Sequence, residues 1–85
     1  MKFMKGSVVR AAAGRDSGGF FVVTGTDNDY CYIANGKSRK LAKPKRKNAK
    51  HLCPTDSMIS INDITDKKLR TLLREFTSSE CKEGN

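Results

Sequence analysis

No aspartate or glutamate falls between Asp29 and Asp56, although that interval holds eight lysines and arginines. Nor is there any CxxC pair: the three cysteines, Cys31, Cys53 and Cys81, are odd in number and far apart. A disulfide framework of a secreted domain favours an even count at closer spacing, which argues against that class. Zinc sites are usually built on paired cysteines, and His51-x-Cys53 alone is a poor substitute, so no metal is expected. No apolar run approaches the roughly 18–20 residues that cross a bilayer, so no membrane partner is expected. The opening MKFMKGSVVR carries charge and lacks an apolar stretch of signal-peptide length. Together these absences lead to the expectation of a soluble, reduced, cytoplasmic protein. Catalytic patterns are missing as well. Ser, His and Asp occur, but in no arrangement that pairs a nucleophile with an oriented base, and no paired acids are seen. The expectation is therefore no enzyme and no cofactor. No internal repeat of solenoid length occurs.

What the chain does have is positive charge. Its 85 residues suit one small domain with a limited core. Lys+Arg 17 against Asp+Glu 9 gives a formal net charge of +8. The mean hydropathy of −0.61 is low and only 36% of residues are hydrophobic, yet these are clustered, which favours a folded domain with polar ends over a disordered chain. So basic a chain attracts polyanions, nucleic acid first.

Along the sequence, SVVRAAA at 7–13 and FFVVT at 20–24 read as strands, being rich in β-branched and aromatic residues. GTDND at 25–29 reads as a turn and YCYIA at 30–34 as a third strand. Asn35-Gly36 is a strong hairpin signal, because a type I′ turn needs positive φ at both central residues; it predicts a return strand over about 38–41. After Pro44 the chain becomes strongly basic and reads as an irregular excursion, followed by a short strand near 57–61. Several short strands in so small a chain indicate a compact β barrel. Leu69, Leu72, Leu73 and Phe76 fall at i, i+3, i+4, i+7 and predict a helix over about 65–76, capped by Asn62-Asp63 or Thr65-Asp66. Its apolar stripe is expected to pack on the barrel, with Lys67, Arg70 and Arg74 on another face. Residues 1–76 are thus read as one domain and 77–85 as a flexible tail.

The basic cluster comprises Lys37, Arg39, Lys40, Lys43, Lys45, Arg46, Lys47 and Lys50, eight cations within fourteen residues. Cations placed on phosphates release condensed counterions, so this segment is the candidate nucleic-acid contact. Asn48 and His51 lie within it and can reach a base edge or a ribose hydroxyl, although His51 reads equally well as a surface or packing histidine. Tyr30 and Tyr32 share one strand face. Packing in the core is the first expectation for them, and stacking on bases the second.

The glycine loop AAAGRDSGGFF, 11–21, poses a separate question. It lacks the GxxxxGK[ST] of a phosphate-binding loop, and a strand-like FFVV follows where a helix would be needed. G-S-V-V-R-A-A-A-G-R-D-S-G-G-F-F-V-V, residues 6–23, instead resembles the KOW motif, with Gly14, Asp16 and Gly18 at the G-x-D-x-G positions and Gly19 completing the loop. The similarity continues through Y-I-A-N-G-K-S-R-K-L and P-K-R-K-N-A-K-H-L-C-P-T. Those stretches are similar to the fourteen-e family of large-subunit ribosomal proteins, and closer still to short bacterial KOW-domain proteins. Ser17 departs from the Lys or Arg common at its position.

The resemblance implies a mainly β fold, a small SH3-like β barrel with a C-terminal α-helix. It implies an RNA-binding protein acting on ribosomal RNA or in ribosome assembly and translation, ribosome-associated in the cytoplasm. Arg15, Ser17 and the loop backbone would approach the sugar-phosphate chain, while Lys37 through Lys50 hold phosphates. The alternative is a protein-interaction barrel docking on a ribosomal protein or RNA polymerase; a small DNA-associated protein is a third reading.

Overall fold

The computed structural model describes residues 3–12 and 18–76. Among these residues the protein is mainly β, with five antiparallel strands in one sheet and a single α-helix. The strands are β1 (Ser7–Ala11), β2 (Phe20–Asp27), β3 (Tyr30–Ala34), β4 (Lys45–Asn48) and β5 (Leu52–Met58), and the helix is α1 (Asp66–Arg74). Their order across the sheet is β4-β3-β2-β1-β5. The first four strands form a meander, and β5 returns to pair with β1. Residues Ala49–His51 make one 3-10 turn between β4 and β5.

The doublets Val8-Val9 and Val22-Val23 show why β1 and β2 are apolar runs rather than alternating patterns. Successive side chains point to opposite faces of a strand, and both faces here are covered. Val8, Val22 and Ala34 align across three strands and pack with Leu69 and Leu73 of α1. On the other face Val9, Ala11, Phe21, Val23, Cys31 and Ile33 join Phe3 and Leu52 in a second cluster. All four of those valines are fully buried. Leu69 is completely enclosed, a burial that contributes roughly 1.5–3 kcal/mol relative to exposure.

Two irregularities shape the sheet. In β2 the register passes from Val23↔Ile33 to Gly25↔Tyr32, leaving Thr24 as an extra residue. Such a bulge bends its strand, and the Thr24 hydroxyl is tied to the Tyr32 carbonyl at 3.2 Å. In the β1–β5 ladder Ser7 opposes Met58 while Val9 opposes Pro54, so β5 carries extra length against Val8. The Thr55 hydroxyl donates to the Val8 carbonyl at 2.8 Å and accepts from the Ser57 amide at 3.2 Å. A side chain thus supplements the ladder where β5 departs from regular register.

Several sequence expectations need correction. β2 runs through the supposed 25–29 turn, and only Asn28 and Asp29 lie between paired Asp27 and Tyr30, with Asn28 at φ 56°. Asn35-Gly36 does not form a type I′ hairpin: Gly36 has φ 77° but Asn35 is not in the positive region. The Asn35 carboxamide oxygen instead accepts from the Lys37 and Arg39 amides, each at 2.9 Å. That side chain holds a wider loop, so residues 38–41 are no strand and the partner of β3 is Lys45–Asn48. The stretch after Pro44 is accordingly not irregular: it passes through β4, the 3-10 turn and β5. The last strand lies at 52–58 rather than 57–61, and Ile59, Ile61 and Ile64 pack against the α1 side of the sheet from beyond it.

The helix is close to expectation. Thr65 caps it, its hydroxyl accepting from the Lys68 amide at 3.1 Å. Leu69 and Leu73 are buried, and Phe76 beyond the helix end meets Phe20 with ring centroids 6.0 Å apart. The proposed tail, 77–85, lies outside the described residues.

Replacing Thr55 by valine keeps the shape and removes the hydroxyl. The Val8 carbonyl then loses its partner, and a cost of roughly 1–3 kcal/mol is expected. It is read as a lower urea midpoint at unchanged slope.

Candidate nucleic-acid interface

The basic segment is folded into three differently exposed parts. Its first part is the loop after β3, where Lys37 and Lys40 are exposed and Arg39 is half-buried. This loop is held against the start of α1. Gly36 lies so close that a Cβ there would collide with the Asp66 carbonyl oxygen, and the Asp66 carboxylate accepts from the Leu41 amide at 2.8 Å. Lys43, also exposed, follows at the approach to β4.

The second part is β4 itself, which among the described residues is an edge strand paired only with β3. Tyr30 faces Asn48, Cys31 faces Lys47, Tyr32 faces Arg46 and Ile33 faces Lys45. Alternation therefore splits the cations between two faces. Arg46 and Asn48 share the outer face with Tyr30 and Tyr32, whereas Lys45 and Lys47 lie opposite the buried Cys31 and Ile33. Lys47 is only 9% exposed, so it does not stand out to solvent as a phosphate contact would. Its aliphatic stem suits the apolar side of an edge strand. Arg46 is exposed, and its guanidinium carbon lies 4.1 Å from the Tyr30 ring centroid. That is a diagonal cross-strand pair, stabilised by the attraction of a cation to an aromatic face.

The third part is the 3-10 turn. The Asn48 side chain caps it, accepting from the Lys50 amide at 3.0 Å, and the Ala49 amide donates to the Asp29 carbonyl at 2.8 Å. Lys50 and His51 are exposed, and the His51 carbonyl accepts from the Ala12 amide at 2.8 Å. Asp29, Asn48, Ala49, Lys50 and Leu52 line a cleft of about 570 Å³ at this end of the sheet.

The tyrosines are not core residues, contrary to the first expectation. Both are half-buried and belong to neither apolar cluster. Strand alternation buries Cys31 and Ile33 and leaves Tyr30 and Tyr32 on the outer face, with ring surface beside Arg46. The sequence missed this because a two-residue period marks a shared face without saying which face is covered.

Of the glycine loop, Gly14, Arg15, Asp16 and Ser17 lie outside the described residues. Gly18 and Gly19 close its ends: the Gly18 amide donates to the Ala11 carbonyl at 2.8 Å, and the Ala11 amide to the Gly19 carbonyl at 2.9 Å. Gly18 has φ 90°, a conformation that glycine reaches without strain. Among the described residues, no group of three His, Cys, Asp or Glu side chains gathers as a metal site. No helix among them is long and apolar enough to cross a membrane. No family model matches the chain, and no curated protein matches it.

The cysteines give a chemical check on the sheet. Burial pushes the Cys31 thiol above its ordinary range. Folding therefore retains the Cys31 proton, a stabilisation present below the unfolded thiol pKa and lost as pH rises through the folded one. Two outcomes follow. Cys31 is alkylated more slowly than half-buried Cys53, as mapped by mass spectrometry. The decline in urea midpoint above about pH 8.5 is shallower in Cys31→Ala than in the parent.

Proposed function

We propose that this chain is an RNA-binding module in which the outer face of β3 and β4 meets unpaired bases while flanking cations hold the backbone. The observation that carries the reading is the Arg46–Tyr30 pair on an exposed face, with Tyr32 and Asn48 beside it. Aromatic and guanidinium planes are the surfaces on which splayed bases stack. Lys37, Lys40, Lys43 and Lys50 are exposed on the flanks, and no acidic residue lies within their segment. Stacking of this kind needs unpaired bases, which favours RNA loops over duplex DNA.

The KOW resemblance agrees with this reading. A four-strand meander whose first strand also pairs with the fifth, with a 3-10 turn between β4 and β5, supports a small SH3-like barrel. Ribosomal RNA is the favoured target, met during ribosome assembly or translation in the cytoplasm, with ribosomal proteins as neighbours. The second reading, a protein-docking barrel, draws on a different feature: Met4 and Met58 are exposed at 62% and 55%, and both lie next to Ser7.

Binding of an rRNA fragment with single-stranded loops, measured at rising salt, tests the proposal. Affinity falls steeply with salt. Arg46→Gln and Lys50→Gln each weaken binding, and each flattens the log–log slope by about 0.7. Lys47→Met leaves the slope unchanged, because Lys47 is held on the inner face. Affinity that barely responds to salt, or a Lys47 effect equal to that of Arg46, contradicts the proposal.

A further inference from the structure

A second cationic groove opens at the other end of β3, between the loop that follows it and α1. It encloses about 480 Å³ and is lined by Phe20, Asn35, Lys37, Arg70, Leu73 and Arg74. Three of these side chains are cations, two are apolar and none is a carboxylate. Arg70 and Arg74 lie far from Lys37 in sequence, so the fold rather than chain adjacency gathers the charge.

The groove is built before any ligand arrives. Its loop wall is set by the Asn35 carboxamide, which accepts from two amides of the loop, and by the Asp66 contacts to Gly36 and Leu41. Arg70 reaches across from the helix, Nη1 donating to the Gly36 carbonyl in a long bond of 3.4 Å. Like Lys37 and Arg74, Arg70 is exposed. The floor is formed by Phe20, held against Phe76, and by Leu73 of the apolar layer.

Cations alone would suit any small anion, but the apolar floor adds a requirement for a flat, weakly polar group beside the negative charge. A nucleotide combines the two. We propose that this groove seats one unpaired nucleotide, its phosphate on Lys37, Arg70 and Arg74 and its base over Phe20. The assignment rests on the RNA reading for the identity of the strand, while its residues, apart from the flanking Lys37, are separate from the β3–β4 face. Tyr30 and Tyr32 share a sheet face with Ala34, which lies under α1. From Tyr30 to the loop at Asn35 is roughly 17 Å of strand. A short stretch of one RNA chain therefore spans both surfaces.

Amide and arginine side-chain NMR of the full chain, titrated separately with adenosine monophosphate, adenosine and inorganic phosphate, tests the groove. A single-stranded RNA oligomer is followed in parallel. The expected result is that the monophosphate shifts residues 35–39 and 70–74 and the Phe20 ring, and binds more tightly than either fragment. Lys37→Gln/Arg74→Gln, both at exposed positions, weakens it about tenfold. If inorganic phosphate binds as well as the monophosphate, the base contact is wrong. If none of the three small ligands moves these residues while the RNA oligomer shifts Tyr30 and Arg46, the groove proposal fails and the RNA reading stands. If the groove responds to the monophosphate and the oligomer leaves Tyr30 and Arg46 unmoved, the groove stands and the β3–β4 reading fails.

Discussion

The arrangement depends on one constraint: β1 and the first half of β2 are buried on both faces. Val8 and Val22 need α1 above them, whereas Val9, Phe21 and Val23 need the rest of the sheet on the other side. In a chain of 85 residues that double demand uses up most of the strongly apolar side chains. Little is left for the edges. β4 is formed from Lys-Arg-Lys-Asn, and its pairing with β3 rests on backbone hydrogen bonds, on the stem of Lys47 and on the Arg46–Tyr30 contact. The location of the charge and the location of the core are two consequences of the same shortage.

A charged edge strand has an ordinary purpose, since lysines on an unpaired edge discourage pairing with another chain. That purpose accounts for one or two cations in β4. It does not account for Lys37, Lys40, Lys43 and Lys50 on the flanking segments, nor for an interval without a single acid. Self-repulsion in such a segment is a standing cost that a bound polyanion relieves. The two half-buried tyrosines lie on the same surface, and this coincidence of ring surface and charge favours a nucleic-acid surface over a merely guarded edge.

How far the sequence disclosed this depends on the element. Apolar and β-branched runs marked β1 and the start of β2, because burial on both faces leaves a composition signal, and the aromatic and β-branched YCYIA marked β3. The leucine stripe located α1 within a residue or two, and Thr65 was one of two proposed caps. β4 was hidden because its partner strand and one arginine stack stabilise it, and neither leaves a periodic mark in KRKN. Asn35-Gly36 misled for a definite reason: the asparagine side chain offers the backbone a closed loop that competes with the tight hairpin. At the candidate site, charge identified the segment, but only strand alternation separated outward Arg46 from inward Lys47. Arg70 and Arg74 had been set apart from the apolar stripe, yet their meeting with Lys37 is a tertiary fact.

The chain has no tryptophan and only two tyrosines, both on the proposed surface, so its intrinsic emission reports directly on that surface. Tyrosine fluorescence, corrected for absorbance and titrated with single-stranded RNA, is the most direct measurement. Saturable quenching that tracks RNA occupancy measured by anisotropy is the predicted result. Full occupancy with unchanged tyrosine emission would contradict the account.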